Sequence, residues 1–182
     1  MNHSGRRYGA IGILICALAG CSKAPIEEAV GKNDRKAVAD VIANGADVNA
    51  RIANGDTPLL LAAKQGQSGS AQALIEAGAD IKVRDADGFS VLHHAAAKGM
   101  TGICRLLVER GIPIDDKGPH GVTPLHLAVS KAAQETAKFL VRMGASLDAK
   151  DDSGTTPLDI VIRSGDSRFA NDLKFAATTR TN

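Results

Sequence analysis

Short apolar segments alternate with polar, glycine-containing turns along most of this chain, and the alternation repeats with a fixed period of about 33 residues. The first apolar segment of each unit has leucine at its start, and a second apolar segment follows it. The lengths of these segments favour short helices. A fixed period of this size predicts stacked copies of one helix pair. The first segments lie at 59–65, 92–98, 125–131 and 158–164, and clear second segments lie at 103–108 and 136–141.

One glycine series predicts the turn that precedes each pair. Asn54-Gly55 and Asp87-Gly88 are dipeptides that supply positive φ in turns. Thr or Ser follows each of these glycines after one residue as a predicted helix N-cap, and three units then have Pro at the first helical position. The series consists of Gly55, Gly88, Gly121 and Gly154.

Other glycines predict where helices end. Gly45, Gly78, Gly111 and Gly144 follow the second segments and recur with the same period as the turn series. The first segments of three units end at Gly66, Gly99 and Gly165. Ala132 occupies the corresponding position in the fourth unit, where we expect a different turn or a small strain.

The combination of period, caps and stops resembles the ankyrin repeat. Thr123-Pro124-Leu125-His126 matches the family's Thr-Pro-Leu-His signature in full, and Ser90-Val91-Leu92-His93 is a weaker copy. The resemblance implies an all-α repeat solenoid of about five helix pairs joined by β-hairpin-like turns. It also implies that His93 and His126 form hydrogen bonds with the backbone of the neighbouring unit.

The predicted array covers residues 26–175, and its first and last helix pairs serve as caps. We expect Phe169, Ala170, Leu173 and Phe175 to form the apolar stripe of the last helix. Residues 69–71, Gly-Ser-Ala, predict the least apolar and least stable interface. The predicted units are 26–51, 52–84, 85–117, 118–150 and 151–175, and residues 176–182 are predicted to be a disordered tail.

The N-terminus predicts secretion and lipidation. Arg6 and Arg7 precede an apolar segment from Tyr8 to Ala19, which is too short to span a bilayer. The following Leu18-Ala19-Gly20-Cys21 resembles the lipobox of bacterial lipoproteins. That resemblance implies cleavage of residues 1–20, lipidation of Cys21 and a short tether at 21–25. A plain secretory signal and an uncleaved anchor remain alternatives.

The residue after the lipobox cysteine refines the predicted location. In Gram-negative lipoproteins Ser22 is compatible with sorting to the periplasmic face of the outer membrane. The mature chain then keeps only Cys104, so it can form no intrachain disulfide. We interpret Cys104 as a small buried side chain, with a redox-sensing thiol as the alternative.

Composition and charge narrow the range of possible functions. Aromatic residues make up 3% of the 182 residues, which predicts an aliphatic, alanine-rich core. Removal of Arg6 and Arg7 leaves 20 basic residues against 20 acidic ones, which gives no drive toward nucleic acid. No spacing of Cys and His predicts a metal site, and no glycine-rich phosphate loop is present. We therefore expect no enzyme activity, cofactor or small-molecule substrate.

In ankyrin arrays partners usually contact the hairpin tips and the exposed side of each first helix. Arg51, Arg84, Lys117 and Lys150 recur once in each period and form either a basic ladder for an acidic partner or a solvated, self-balanced face. Phe89 and Val122 are a candidate hydrophobic anchor. The candidate contacts are Arg51, Asp56, Lys64, Arg84, Asp87, Phe89, Lys98, Lys117, His120, Val122, Lys131, Lys150 and Arg163.

The sequence thus predicts a lipid-anchored module in the cell envelope that binds a protein partner. Two narrower roles stay open. The chain could be an immunity-type inhibitor of a toxin delivered to the periplasm, or an envelope scaffold that holds a resident enzyme near the membrane.

Overall fold

A computed structural model describes residues 24–179 as five consecutive helix pairs. Within this range there are ten α-helices, one short 3-10 helix at Pro119–Gly121 and no β-strand, so the predicted all-α repeat solenoid is confirmed. The helices are α1 Ala24–Gly31, α2 Arg35–Ala43, α3 Pro58–Gln65, α4 Ser68–Glu76, α5 Val91–Ala97, α6 Thr101–Glu109, α7 Pro124–Ser130, α8 Gln134–Arg142, α9 Pro157–Arg163 and α10 Ser167–Thr178.

The helices form two layers. The odd-numbered helices pack against one another in chain order, and the even-numbered helices do the same from α2 to α10. The core between them is aliphatic and rich in alanine, as the composition predicts. At equivalent positions in successive units Leu74, Leu107, Leu140 and Leu173 are all fully buried. Burial of a leucine contributes about 1.5–3 kcal/mol, so this column stabilises every interface of the second layer.

The polar residues before α3, α7 and α9 cap those helices. Thr57 Oγ1 accepts a hydrogen bond from the Leu60 N–H at 3.3 Å. At the start of α9 the equivalent hydroxyl, Thr156 Oγ1, accepts a hydrogen bond from the Asp159 N–H at 3.1 Å. Proline then occupies the first helical position, where its missing N–H has no helical partner to lose.

One residue between the two helices of every unit adopts positive φ. Gly66, Gly99 and Gly165 do so at 76°, 71° and 78°. Ala132 occupies the same place with φ of 55°, which confirms the strain expected there. Asn33 takes the position in the first unit with φ of 53°. This left-handed residue lets the second helix of each unit return along the first.

The two ends of the described range differ from the predicted boundaries. Helix α1 begins at Ala24, two residues before the predicted start of the array at 26. Helix α10 continues to Thr178, so residues 176–178 belong to a helix and not to a disordered tail. The prediction that Phe175 packs in the apolar stripe is wrong, since it is 69% exposed. Ala176 is buried there instead, because a helical face passes from Leu173 to a residue three positions later.

The predicted signal sequence and lipobox, with Cys21, lie outside the described residues. None of the helices in 24–179 has the length and hydrophobicity needed to cross a bilayer.

Candidate protein-binding face

The connections between units form a row of small hairpins beside the first helices. In each hairpin a backbone N–H donates to the carbonyl four residues later, as from Ile52 to Asp56 at 2.9 Å and from Asp151 to Thr155 at 3.0 Å. Bonds between hairpins keep the row in register. The Asp80 N–H donates to Asn49 Oδ1 at 2.8 Å, and the Asp152 N–H donates to the His120 carbonyl at 2.8 Å.

Both signature histidines fasten a first helix to the next hairpin. His93 Nε2 lies 3.0 Å from the carbonyl oxygen of Val122, and His126 Nε2 lies 3.1 Å from that of Thr155. Since a carbonyl can only accept, Nε2 carries the proton in each ring. Both rings are buried. The structural role that the family resemblance implied for these two residues is therefore confirmed.

His93 also belongs to a polar network that its counterpart His126 lacks. Ser90 Oγ lies 2.8 Å from His93 Nδ1 and 2.7 Å from Asp116 Oδ2. Arg84 Nη2 donates to the other oxygen of Asp116 at 2.6 Å. Burial lowers the pKa of His93, because desolvation of the imidazolium outweighs the attraction of the Asp116 charge. The position equivalent to Asp116 in the next hairpin is Ala149.

This Ser–His–Asp group does not have the geometry of a hydrolase triad. In such a triad the serine and the carboxylate contact opposite nitrogens of the imidazole. Here Ser90 and Asp116 both lie on the Nδ1 side, with Asp116 Oδ2 at 3.7 Å from Nδ1. Nε2 is occupied by the Val122 carbonyl. The group therefore holds two hairpins and a helix together.

A second network joins α3, α5 and two hairpins. Lys64 Nζ lies 2.8 Å from Asp56 Oδ2 and 3.2 Å from Asp85 Oδ2. His94 Nε2 donates to the same Asp85 oxygen at 2.8 Å. Burial alone would raise the pKa of Asp85, but the hydrogen bonds from His94 and Lys64 outweigh it and lower the pKa. Burial likewise opposes the charge of Lys64, and the two aspartates nevertheless raise its pKa.

This network gives two of the predicted contact residues surroundings that the sequence did not indicate. Asp56 is only 3% exposed, so its placement among exposed hairpin residues is wrong. The reason is a partner eight residues away: Lys64 on the following helix draws the carboxylate inward. Lys64 itself is neutralised by two buried carboxylates and is not a free cation of the surface.

The four members of the predicted basic ladder differ in whether neighbouring groups bind their charged ends. Arg51 Nη1 donates to the carbonyl of Gly55 in its own hairpin at 2.7 Å. Arg84 forms an ion pair with Asp116, so the charge of this member of the ladder is neutralised within the array. Lys117 and Lys150 are exposed, and within residues 24–179 neither forms an ion pair. The freely presented basic charge of the ladder is therefore in its last two members.

The remaining candidate contacts on the first helices are Lys98, Lys131 and Arg163. Lys98 and Lys131 are equivalent residues, one period apart, and both are exposed. Arg163 is also exposed, and its Nη2 donates to Thr155 Oγ1 of the preceding hairpin at 3.2 Å. Bonds to the Thr156 N–H and hydroxyl lower the pKa of Asp159, and the charges of Arg163 and Lys150 lower it further. Lys150 thus lies near a carboxylate without contacting it.

The proposed apolar anchor is less exposed than expected. Phe89 and Val122 are both partly buried. The Phe89 ring lies edge-on to the rings of His93 and His94, with centroid distances of 5.6 and 6.0 Å. Asp87 and His120, by contrast, are exposed at the hairpin tips.

Neither metal binding nor thiol chemistry is supported among the described residues. No group of three or more His, Cys, Asp or Glu side chains in 24–179 is arranged to hold a metal ion. Cys104 is buried, and burial raises the pKa of its thiol to about 12. A thiol of this kind is not the reactive thiolate that redox sensing requires, so the interpretation as a packed side chain is favoured.

Sequence reasoning did not find Asn33 and His94, which both hold neighbouring units together. Asn33 Oδ1 accepts from the N–H groups of Gly69 and Ser70, at 2.9 and 3.2 Å. The signal for Asn33 was present, because it stands one period before Gly66 and Asn is tolerated at positive φ. His94 follows the signature histidine, and nothing in its spacing indicates Asp85 as partner.

Comparison with known families agrees with this architecture. A family model described as "Ankyrin repeats (3 copies)" matches residues 26–118, and one described as "Ankyrin repeats (many copies)" matches residues 107–161. No curated protein matches the chain.

Proposed function

Because the chain belongs to the ankyrin repeat family, we propose that it is a lipid-anchored module that binds a protein partner on the periplasmic side of a bacterial envelope. Arrays of this family are in general protein-interaction modules and typically are not enzymes. The anchor, the location and the binding face below are parts of the proposal.

The observation that carries the binding face is that hairpins and first helices border one continuous surface. Lys64 and His94 on first helices both reach Asp85 of a hairpin, and Arg163 reaches Thr155. Side chains from the two elements are thus held side by side along the row. A rigid surface of this kind lowers the entropy that is lost on binding.

The charges of this surface indicate which of its residues attract a partner. Arg84 and Lys64 are neutralised within the array, so they contribute little attraction. Lys117 and Lys150 are exposed on the hairpins and pair with no carboxylate in residues 24–179, and Lys98 and Lys131 are exposed on the helices. We place the partner's acidic groups against these four lysines, in the third and fourth units of the array.

The proposed anchor rests on the sequence before the array. Cys21 ends the lipobox-like Leu18-Ala19-Gly20-Cys21, and α1 begins only three residues later at Ala24. Several acyl chains at Cys21 would contribute about 0.8 kcal/mol per buried methylene, enough for stable attachment. The array then works close to the membrane surface, on the periplasmic face of the outer membrane if Ser22 directs sorting.

Lipidation is tested by growth with radiolabelled palmitate. The wild-type chain is expected to incorporate label and Cys21→Ala is expected to incorporate none. Equal labelling of the two chains would exclude lipidation of Cys21.

Partner binding is tested by cross-linking intact envelopes and purifying the chain by affinity. A double reversal, Lys117→Glu with Lys150→Glu, is expected to reduce the specific partner band at least tenfold. The control reverses two exposed lysines away from the hairpins, Lys36 and Lys174, and is expected to leave the band unchanged. Equal recovery with all three chains would contradict the proposed face, and the identity of the band separates a toxin from a resident envelope enzyme.

A further inference from the structure

The large apolar side chains that are exposed to solvent lie in the last two units of the array. Within residues 24–179 they are Phe175 at 69%, Ile162 at 57% and Met143 at 37% exposure. Phe175 lies one period after Arg142, so the two residues occupy equivalent positions on the packed helices α10 and α8. Met143 follows Arg142 and Lys174 precedes Phe175, and both are exposed. We call these four residues, Arg142, Met143, Lys174 and Phe175, the distal patch.

The charge at this helix position changes along the array. The residues equivalent to Phe175 in the second, third and fourth units are Glu76, Glu109 and Arg142. Arg142 and Lys174 form no ion pair with any residue of the described range 24–179. The distal patch thus combines an exposed aromatic ring with two exposed cations. Surfaces of this composition bind membranes that contain anionic lipid.

The distal patch lies on the same edge of the array as the start of the first helix. Because a tight turn joins the two antiparallel helices of each unit, odd-numbered helices begin and even-numbered helices end at one edge, beside the hairpins. Helix α1 begins at this edge with Ala24, and α10 approaches the same edge with Lys174 and Phe175 in its last turns. Cys21 precedes Ala24 by three residues, which span at most about 10 Å of extended chain. A membrane that holds an anchor at Cys21 therefore meets this edge.

We propose that the distal patch is a second membrane contact, which binds the anionic phospholipids of the leaflet that holds the anchor. The Phe175 ring enters the boundary between headgroups and acyl chains, and Arg142 and Lys174 contact lipid phosphates. The inference rests on the lipid anchor of the proposed function and adds an orientation to it. Because the patch is four units of about 10 Å away from the anchored end, the array lies along the membrane surface. The anchor alone keeps the chain attached, so loss of the patch changes only the orientation.

A single tryptophan at position 175 reports this contact. The sequence contains no tryptophan, and Phe175→Trp keeps an aromatic ring in the distal patch. The mature lipidated chain with this substitution is reconstituted in vesicles of phosphatidylethanolamine and phosphatidylglycerol. Its emission is expected to shift to shorter wavelength and to be quenched about twofold by lipids brominated in the upper acyl chain. Vesicles of phosphatidylcholine alone are expected to give a smaller shift and less quenching.

The matched control is Ser167→Trp. Ser167 is exposed at the start of the same helix, about 12 Å from position 175 and toward the opposite edge of the array. Its emission is expected to be the same with and without brominated lipid. Quenching at position 175 with none at position 167 therefore identifies the edge that contacts the membrane.

Charge reversals in the Phe175→Trp chain test the role of the cations. Arg142→Glu combined with Lys174→Glu is expected to abolish the quenching, because the patch is then repelled by anionic lipid. Lys36→Glu combined with Arg168→Glu makes the same change of charge at exposed positions near the starts of α2 and α10. This second pair is expected to leave the quenching unchanged. Equal quenching in both reversed chains would contradict binding through the cations of the patch.

Vesicle flotation separates this inference from the proposed function. If the chain floats with the vesicles but Phe175→Trp is neither shifted nor quenched, the distal patch is excluded and the anchor stands. Equal quenching at positions 175 and 167 would also exclude the patch, because the array would then have no fixed orientation. A shift in whole envelopes but not in pure lipid vesicles would assign the patch to a protein and contradict the membrane contact. If the mature chain does not float, the proposed anchor itself is wrong and the inference falls for that reason.

Discussion

Asn33 of the first unit caps the second helix of the next unit at Gly69. Its Oδ1 accepts the Gly69 N–H at 2.9 Å, and a Cβ at position 69 would lie only 3.1 Å from the same oxygen. A side chain at position 69 would therefore have to displace the Asn33 carboxamide slightly. Ser70 Oγ adds a bond to the Val30 carbonyl at 3.1 Å. The interface expected to be weakest because of its small residues is therefore reinforced by polar contacts.

Asn33→Ala is expected to lower the free energy of unfolding by about 1–3 kcal/mol, since it removes the cap and puts alanine at positive φ. Asn33→Gly removes only the cap and is expected to cost less. Urea denaturation followed by circular dichroism measures both. Equal losses for the two variants would show that the backbone conformation is not a factor.

Ala132→Gly is expected to stabilise the array. Relief of the left-handed alanine gains about 1–2 kcal/mol, and the greater freedom of glycine in the unfolded chain offsets part of it. We expect a net gain of about 0.5–1 kcal/mol in urea denaturation. Ala97→Gly, a substitution at the last residue of helix α5, is the comparison and is expected to destabilise. A loss of stability in Ala132→Gly would contradict the interpretation of position 132.

Stability is expected to fall as the pH is lowered through about 6.5, the ordinary pKa of histidine. The pKa of His93 is lowered in the folded state, so the unfolded chain binds more protons in the window from just above 6.5 down to the folded pKa. Stability therefore rises with pH across that window. The carboxylates with lowered pKa values titrate only at more acidic pH.

Unfolding at pH 7.5 and 5.5 measures this dependence. His93→Leu places at this site the residue that the preceding unit has at Leu60. The variant is expected to be less stable at pH 7.5 and to show a smaller difference between the two pH values. An unchanged difference would assign the pH dependence to other groups.

Lys64→Met is expected to destabilise the array by about 2–3 kcal/mol, because it leaves Asp56 and Asp85 as buried carboxylates without their cation. This loss is smaller than the loss expected for a fully buried ion pair, because the Lys64 side chain is 32% exposed. Lys98→Met, at an exposed position of the next first helix, is the control and is expected to be nearly neutral. If Lys64→Met and Lys98→Met lowered the free energy of unfolding by similar amounts, the ion pairs of Lys64 would not be stabilising the array.

The fold could be predicted from the sequence because its main determinants are local. Caps, prolines and left-handed glycines act within a few residues, and the repeat period places them in every unit. The side-chain surroundings of the site could not be predicted to the same extent. Asp56 looks like an exposed turn residue until Lys64 and its neighbours are positioned by the fold. In the sequence Phe175 looks like part of the apolar stripe of the last helix. A shift of one position along a helix decides whether a side chain faces the core or the solvent, and here Ala176 takes the buried face.

Site-specific photo-cross-linking in cells tests the proposed binding face most directly. A photoreactive phenylalanine analogue replaces Lys117 or Lys150 on the hairpins, and Glu109 or Arg142, which are exposed on the second helices, in the control chains. Irradiation is expected to give one adduct of common mass from positions 117 and 150, and none from 109 and 142. Adducts from the second helices alone, or no adduct at 117 and 150, would contradict a partner bound along the hairpin row.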